Sequence, residues 1–195
     1  MPRKITRESL MTLEAYHRAR KDIRGEVMAN MKLRTVHLGE NLPLIFEDEM
    51  LMRYQIQEIL RVEKIFDNAG IQEELDAYNP LVPDGTNFKA TMMIEYAGEA
   101  ERRSALSRLH SIEDRMFLEV EGQPCIHAVA DEDLESSTEE KTSAVHFLRY
   151  ELTPPMIAAL KAGAQIKLGC EHKEYPFHVD GLPPETLAAL LKDLA

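Results

Sequence analysis

Two Cys-x-His pairs are the residues of this sequence whose types and spacing could bind a metal. Cys125 and His127 form the first pair, and Cys170 and His172 form the second. Side chains two positions apart on a strand share one face, so each pair could direct both of its side chains at one ion. Two thiolates and two imidazoles would suit zinc or iron.

The hairpin predicted around the first pair favours a different interpretation. A two-residue turn at 122–123 pairs Val120 with Cys125 and Leu118 with His127, which places this pair on the apolar face. Cysteines in such positions are usually buried and unreactive. The second pair also follows an alternating apolar strand, and the sequence does not place the two hairpins side by side. We therefore expect no metal and no cofactor, with the four residues kept as an alternative.

A polar cleft is the second kind of site that the sequence offers. It would lie between the helix predicted over 48–66 and the loop at 79–87. In that helix Glu58 and Arg61 lie on a polar stripe, whereas Glu63 falls inside the apolar arc. A buried glutamate is costly unless it is paired, so it indicates either a structural salt bridge or a cleft with a tuned carboxylate. The cations that could pair with it are Arg34, Lys89 and Arg149.

The loop at 79–87 carries polar side chains between prolines. Asn79 precedes Pro80, which disfavours helical geometry, and Asp84 lies in a Pro-Asp-Gly turn. We expect a rigid corner between a helix and a central strand. The alternative is that Asn79, Asp84 and Asn87 bind a ligand from this scaffold.

Two histidines complete the candidate residues. His146 alternates with Leu148 and Tyr150, so we expect a hydrogen-bonded core histidine, whereas His37 lies near a strand end and is more open to a role. The sequence contains no Gly-rich phosphate loop, nucleophile elbow, H-E-x-x-H or C-x-x-C motif. Whether the protein is an enzyme therefore stays open.

An acidic run, DEDLESSTEE, covers 131–140. Its acids alternate as in a calcium loop, but the glycine and the terminal glutamate that such a loop needs are missing. We interpret this run as a solvated loop.

The charge of the chain is unevenly distributed. The net charge is −11, which disfavours binding to nucleic acid or to an anionic membrane surface. Residues 1–35 hold nine Lys/Arg and four Asp/Glu, a net charge of +5, so the remainder carries −16. We expect this basic arm to pack on its own acidic body or on a second copy, and we predict a homodimer.

No apolar run approaches the ~20 residues that a bilayer span needs, and the N-terminus lacks the apolar core of a signal peptide. Two cysteines make no disulfide framework. These features predict a cytoplasmic protein with no membrane contact.

The order of elements predicts a single α+β domain over 1–195, with 1–32 as a basic helical N-terminal arm. We expect a mostly antiparallel mixed sheet with hairpins and with helices packed on one face. One or two helices are predicted across 7–32, and further helices at 48–66, 71–78, 99–112, 153–163 and 183–194. Strands are predicted at 34–39, 42–47, 88–96 and 143–152, and two hairpins at 115–130 and 165–179.

Four segments carry a family resemblance: RTVHLG, YQIQEILRVEKIF, EELDAYNPLVPDGTNFKATMMIEY and EKTSAVHFLRYELTPPMIAALKAG. The chain resembles, from about residue 3 to its last helix, a bacterial family catalogued only as a domain of unknown function. Members of that family are often encoded beside rubrerythrin-like proteins and iron–sulfur proteins related to heterodisulfide reductase. The resemblance implies a redox or iron-linked setting, and it implies no catalytic residues and no role for the cysteines.

These observations support three hypotheses. The first is a non-catalytic accessory or partner protein in a redox, oxidative-stress or iron–sulfur-linked pathway, with a redox or iron–sulfur protein as its partner. The second is a small-ligand-binding protein or an enzyme that uses the polar cleft between 48–66 and 79–87. The third is zinc or iron binding through the two Cys-x-His pairs.

Overall fold

The computed structural model describes residues 4–130 and 142–195, and within them the chain forms six α-helices and nine strands. The helices are α1 (Leu13–Arg34), α2 (Glu49–Glu63), α3 (Asn68–Tyr78), α4 (Glu99–Arg108), α5 (Pro154–Lys161) and α6 (Pro184–Leu190). The strands are β1 (Thr35–Leu38), β2 (Leu42–Phe46), β3 (Asn87–Met93), β4 (Met116–Val120), β5 (Cys125–His127), β6 (Val129–Ala130), β7 (Val145–Glu151), β8 (Ile166–His172) and β9 (Tyr175–Asp180).

The strands form two antiparallel sheets. One has the order β1-β2-β3-β7-β6, and the other has the order β5-β4-β8-β9. The predicted α+β class is confirmed, but the strands do not form the one sheet that the sequence suggested. The segment 125–130 explains the division, because its first half pairs with β4 in one sheet and its second half pairs with β7 in the other.

The two sheets pack face to face around one apolar cluster. Phe46 and Phe88 meet edge to face there, with ring centroids 6.0 Å apart. Leu118 and Leu168 come from the opposite sheet, and Met156 of α5 belongs to the same cluster. A second cluster joins α1, α2 and α3 on the outer side of β2. The burial of strand residues on both sides of β2 follows from these two clusters.

Local capping signals place several helices where the sequence predicts them. The Asp48 side chain accepts a hydrogen bond from the Leu51 amide at 2.8 Å and begins α2. Thr153 caps α5 in the same way. The predicted end of α2 was wrong, since the helix ends at Glu63 and Lys64 adopts a left-handed conformation with φ 57°. Asn68 begins α3, because Asp67 caps it.

None of the described helices is both long enough and apolar enough to cross a membrane.

Candidate functional site

Glu58 holds the N-terminal helix to the body. Arg20 of α1 donates to both of its carboxylate oxygens, at 2.8 and 2.7 Å, and Tyr16 donates at 2.7 Å. Arg61 adds two bonds from one turn along α2, at 3.2 and 3.1 Å. These donors, led by Arg20, hold the pKa of Glu58 well below its ordinary value. Glu58 and Arg61 therefore form a structural ion-pair network in the described structure.

Among the described residues, neither of the two cavities that the 79–87 loop lines includes a residue of α2. Glu63 is exposed on the last turn of α2, so its predicted place in the apolar arc was wrong. Gln57 is the buried polar residue of that helix instead. None of the described cavities that Asp84 or Asn87 lines also contains Glu58, Arg61 or Glu63.

The 79–87 loop is a closed corner. The Asp84 carboxylate accepts from the Thr86 amide at 2.9 Å and from the Asn87 side chain at 3.0 Å. The Asn87 side chain in turn accepts from the Asp84 amide at 3.2 Å. Gly85, at φ +102°, accepts through its carbonyl from the Ala195 amide at 2.9 Å, so the loop also ties down the last residue of the chain.

Two side-chain amides hold residues 4–12, which we call the strap, against α2 and α3. Asn79 accepts from the Ile5 amide at 2.8 Å and donates to the Ile5 carbonyl at 2.9 Å. Gln57 accepts from the Met11 amide at 2.7 Å and donates to the Met11 carbonyl at 3.4 Å. Each side-chain amide thus makes the two hydrogen bonds that the backbone of a neighbouring strand would make with the strap. Asn79 has a structural role here, and the arm lies on its own body as the charge pattern suggested.

The main candidate site is a cleft on the outer face of the five-stranded sheet, which we call the strand cleft. It lies over β3, β7 and β6 beside the 79–87 loop and has a volume of about 530 Å³. Its polar lining comprises Glu47, Asp84, Asn87, Lys89 and Arg149, and its apolar lining includes Pro80, Leu81, Val129, Ala130 and Phe147. Asp84 and Asn87 are the two sequence candidates that the structure brings to this cleft.

Lys89 and Arg149 lie directly opposite each other on β3 and β7. Both side chains belong to the outer face, because the alternate residues Phe88, Ala90 and Leu148 are buried between the sheets. Like charges opposite each other on neighbouring strands destabilise a sheet unless other groups offset them. Lys89 donates to the Pro80 carbonyl, and the half-exposed Arg149 pairs with Glu151 on the same strand.

A buried carboxyl group lines the same cleft. Glu47 is only 6% exposed, and its Oε1 accepts a 2.6 Å hydrogen bond from Thr91 Oγ1. Burial raises the pKa of Glu47 to about 7, against the lowering effect of the Thr91 hydrogen bond. Such a carboxyl group can exchange a proton near neutral pH, which is a property of many functional sites. Sequence reasoning missed Glu47, since nothing local shows that the residue before an N-cap is buried.

Arg34 is the second important residue whose contacts the sequence did not predict. It is 2% exposed and donates to the carbonyls of Phe46, Ala189 and Glu47 at 2.7, 3.0 and 3.0 Å. Its guanidinium also pairs with Asp193 near the C-terminus. One interpretation of the sequence paired Arg34 with Glu63, but in the structure its buried ionic partner is Asp193. Arg34 thereby fixes the backbone on both sides of Glu47.

The two Cys-x-His pairs do not converge. Glu119 lies opposite Cys125, one residue away from the predicted register, because the connection from β4 to β5 is longer than a two-residue turn. A one-residue slip moves every side chain to the other face. Cys125 and His127 are therefore exposed, whereas Cys170 and His172 are buried.

Each pair has other contacts. His127 lies 3.4 Å from a Glu171 carboxylate oxygen, and His172 Nε2 lies 3.2 Å from the His110 carbonyl. Burial raises the pKa of the Cys170 thiol. Within residues 4–130 and 142–195, no group of three or more His, Cys, Asp or Glu side chains is arranged to hold a metal ion. The four-ligand site proposed from the sequence is wrong for this reason.

The two remaining candidate histidines, His146 and His37, differ in burial. His146 is buried on the core side of β7, and its Nε2 lies 3.0 Å from Thr142 Oγ1. Glu113 approaches the other ring nitrogen at 3.8 Å. His37 is exposed on β1 and does not line the strand cleft. The acidic run at 131–140 lies outside the described residues.

Taken together, fold and cleft define an α+β protein of two packed antiparallel sheets with a polar cleft on the outer face of one sheet. The chain belongs to the family described as "Protein of unknown function (DUF3501)", whose model matches residues 4–194. Its fold is similar to the crystal structure of a novel protein of unknown function from Burkholderia pseudomallei K96243. That similarity has a TM-score of 0.93 at 54% sequence identity, covering 99% of this chain and 100% of the other. A comparison with proteins of curated function finds no match.

Proposed function

We propose that this protein binds a small molecule that carries a carboxylate or phosphate group, in the strand cleft. The observation that carries the proposal is the position of Lys89 and Arg149, directly opposite each other on the face that floors the cleft. An anion between the two cations would add to the compensation that the Pro80 carbonyl and Glu151 already provide. Arginine suits this role because its planar guanidinium binds carboxylate and phosphate oxygens in pairs.

Glu47 indicates which second polar group the ligand should carry. Its carboxyl group lines the same cleft and is held by Thr91. A carboxyl group with a pKa of about 7 can donate a hydrogen bond when protonated and accept one when ionised. The ligand that fits best therefore has an acidic group for the two cations and a hydroxyl or amine for Glu47.

The family resemblance implies a redox or iron–sulfur-linked setting. We use that setting to propose what the binding is for. We infer an accessory protein whose binding of a small acid accompanies contact with a redox or iron–sulfur protein. Co-migration of this protein with a purified rubrerythrin-like protein, with and without the acid, tests the accessory role. Failure to co-migrate under both conditions would remove the accessory role and leave the ligand proposal standing.

Thermal-shift screening followed by calorimetry tests the ligand proposal. The probes are inorganic phosphate, phosphorylated sugars and small hydroxy-carboxylates, each titrated at low ionic strength. A ligand at 100 times its dissociation constant adds about 2.7 kcal/mol to the stability of the folded protein. We expect at least one acidic probe to give a saturable shift, and the neutral analogue of that probe to give none.

Matched variants locate the binding. Arg149→Gln should weaken binding of the active probe at least about tenfold, since it removes a charge-assisted contact. Arg103→Gln is the control, because Arg103 belongs to an exposed ion pair on α4 and does not line the strand cleft. Equal affinity of Arg149→Gln and wild type, or no saturable shift with any acidic probe, would overturn the proposal.

A further inference from the structure

Glu47 has one carboxylate oxygen that is held by the protein and one that is not. The residue is only 6% exposed, and Thr91 donates to its Oε1 at 2.6 Å. Its Oε2 makes no hydrogen bond to any residue within 4–130 and 142–195. Because Glu47 lines the strand cleft, Oε2 is the atom that remains for a ligand there. Polar atoms of buried residues are normally hydrogen-bonded, so an oxygen without a partner beside a cleft points to a ligand.

Glu47 also belongs to a row of charged residues that runs across the five-stranded sheet. Its amide donates to the Lys89 carbonyl at 2.8 Å, which extends the pairing of β2 with β3 by one residue beyond Phe46 and Ala90. Lys89 in turn lies opposite Arg149 on β7. The order across the sheet is therefore Glu47, Lys89, Arg149, and neighbouring strands lie ~4.8 Å apart. An acid held by the two cations thus lies one strand away from Glu47.

The surroundings of Glu47 disfavour its ionised form. Burial and then the neighbouring Asp48 raise its pKa, which reaches about 7 although Thr91 and Arg34 lower it. Arg34 has little effect because it pairs with Asp193 and lies 3.5 Å from Asp48. The charged groups that line the cleft with Glu47 are Asp84, Lys89 and Arg149. A bound acid adds a negative charge to this set, so binding favours protonated Glu47 further.

We propose that the strand cleft binds its acidic ligand together with one proton, which Glu47 Oε2 carries and donates to an oxygen atom of the ligand. This binding mode rests on the ligand binding proposed above and narrows the class of ligand. The proton comes from solvent, and the O–H bond on Glu47 is the only covalent bond that forms. The ligand is a hydroxy acid or an oxo acid, because a hydroxyl or carbonyl oxygen accepts such a hydrogen bond. An amino acid does not fit, since its ammonium group has no acceptor and favours ionised Glu47.

Matched pairs of small acids test the ligand class by calorimetric titration of the full chain. Glycerate and serine differ only in a hydroxyl against an amine on the carbon beside the carboxylate, and lactate and alanine differ in the same way. We expect at least one hydroxy acid to bind at least about tenfold more tightly at pH 6 than its amino partner. The reason is that protonated Glu47 would face a second donor in the amino acid, and such a mismatch is strongly rejected.

Titration of the same hydroxy acid at several pH values measures the proton. Its carboxyl group has a pKa of about 4, so it stays ionised between pH 6 and pH 8 and a change in affinity belongs to the protein. The dissociation constant should rise at least about fivefold from pH 6 to pH 8, because the complex keeps a proton that the free protein loses. Titrations at pH 8 in Tris and in Hepes, which differ in ionisation enthalpy, should show uptake of about one proton per bound ligand.

Glu47→Gln removes the titrating group. It should abolish the proton uptake and keep the dissociation constants at pH 6 and pH 8 within about twofold of each other. Asp193→Asn is the matched control and should keep the uptake, because Asp193 is a buried acid beside Arg34 that does not line the cleft. If Glu47→Gln fails to fold, Thr91→Val takes its place. Loss of the Thr91 hydrogen bond raises the pKa of Glu47 further, so the fall in affinity should then move to higher pH.

Different results overturn the two proposals for the strand cleft. If no acidic probe binds saturably, phosphate included, both are wrong. Three results leave the anion site standing and overturn the proton-linked binding of a hydroxy or oxo acid: phosphate binds but neither hydroxy acid does, affinities are equal within both matched pairs, or the dissociation constant does not change with pH. Proton uptake that persists in Glu47→Gln and disappears in Asp193→Asn assigns the proton to another group and overturns it as well.

Discussion

Thr91 Oγ1 donates a 2.6 Å hydrogen bond to Glu47 Oε1 and so ties the middle of β3 to the segment between β2 and α2. This contact places an ionisable group beneath the outer face of the five-stranded sheet, where the strand cleft opens. It also makes the stability of the protein depend on pH in a definite direction.

Glu47→Gln should remove a loss of stability that occurs as the pH rises. The folded protein keeps the Glu47 proton up to a pKa of about 7, whereas the unfolded chain releases it near 4.5. The folded state therefore binds more protons between these values, and its stability falls as the pH rises through that window. The variant stays neutral and should be more stable than wild type at pH 8 by on the order of 3 kcal/mol.

Urea denaturation at pH 5 and pH 8 measures this difference. At pH 5 the two proteins should agree closely, because Glu47 is mostly protonated in folded wild type. Thr91→Val is the companion variant, since loss of its hydrogen bond should raise the pKa of Glu47 further and extend the fall in stability to higher pH. Parallel stability profiles of wild type and Glu47→Gln across this range would contradict the assignment.

Arg34→Met should be strongly destabilising. The substitution leaves the Asp193 carboxylate without its cation and three backbone carbonyls without their donor. Breaking a buried ion pair in this way typically costs about 3–5 kcal/mol. Arg18→Met is the control, because Arg18 belongs to an exposed pair on α1 and should change stability by less than about 0.5 kcal/mol.

Asp193→Asn separates the charge from the carbonyl contacts. It keeps the Arg34 bonds to backbone and should cost less than Arg34→Met in urea denaturation. If Arg34→Met loses no more than the Arg18 control, the guanidinium does not hold the C-terminal segment in place.

Glu58→Gln should weaken the attachment of α1 most at neutral pH. The pKa of Glu58 is lowered by Arg20, so its contribution is present above the ordinary glutamate pKa and is lost as the pH falls below it. We expect a loss of about 2 kcal/mol at pH 7, since hydrogen bonds to charged groups are worth about this much. The loss should shrink towards pH 3. A difference from wild type that is equally large at both pH values would argue for a packing defect. Glu14→Gln is the control, because Glu14 belongs to the exposed ion pair with Arg18.

The two cysteines should differ in reactivity. Cys125 is exposed, and Cys170 is buried between the sheets, so a disulfide reagent at pH 8 should modify one thiol in the folded protein and two after unfolding. Cys125→Ser should abolish the first reaction.

Elemental analysis of protein purified without an affinity tag should give the same metal content for wild type, Cys125→Ser and His172→Ala. Loss of bound zinc or iron in both variants would restore the metal hypothesis.

Local features were predictable from the sequence because they depend on residues a few positions apart. The alternation of β3 correctly places Phe88, Ala90 and Met92 in the core, and Asp48 caps α2 as expected. The closed turn at Asp84 also follows from its own Pro-Asp-Gly and Asn neighbours. In each case the chemistry that determines the structure lies within one turn or one strand.

The tertiary structure alone decided the features that join distant parts of the chain. A connection longer than two residues reversed the faces of Cys125 and His127, and no local pattern distinguishes the two registers. Arg34 meets Asp193 across 159 positions, and Glu47 becomes buried only when β3 supplies Thr91. Burial and pairing of charges depend on which elements pack together, so the strand cleft and its two cations became visible only in the folded chain.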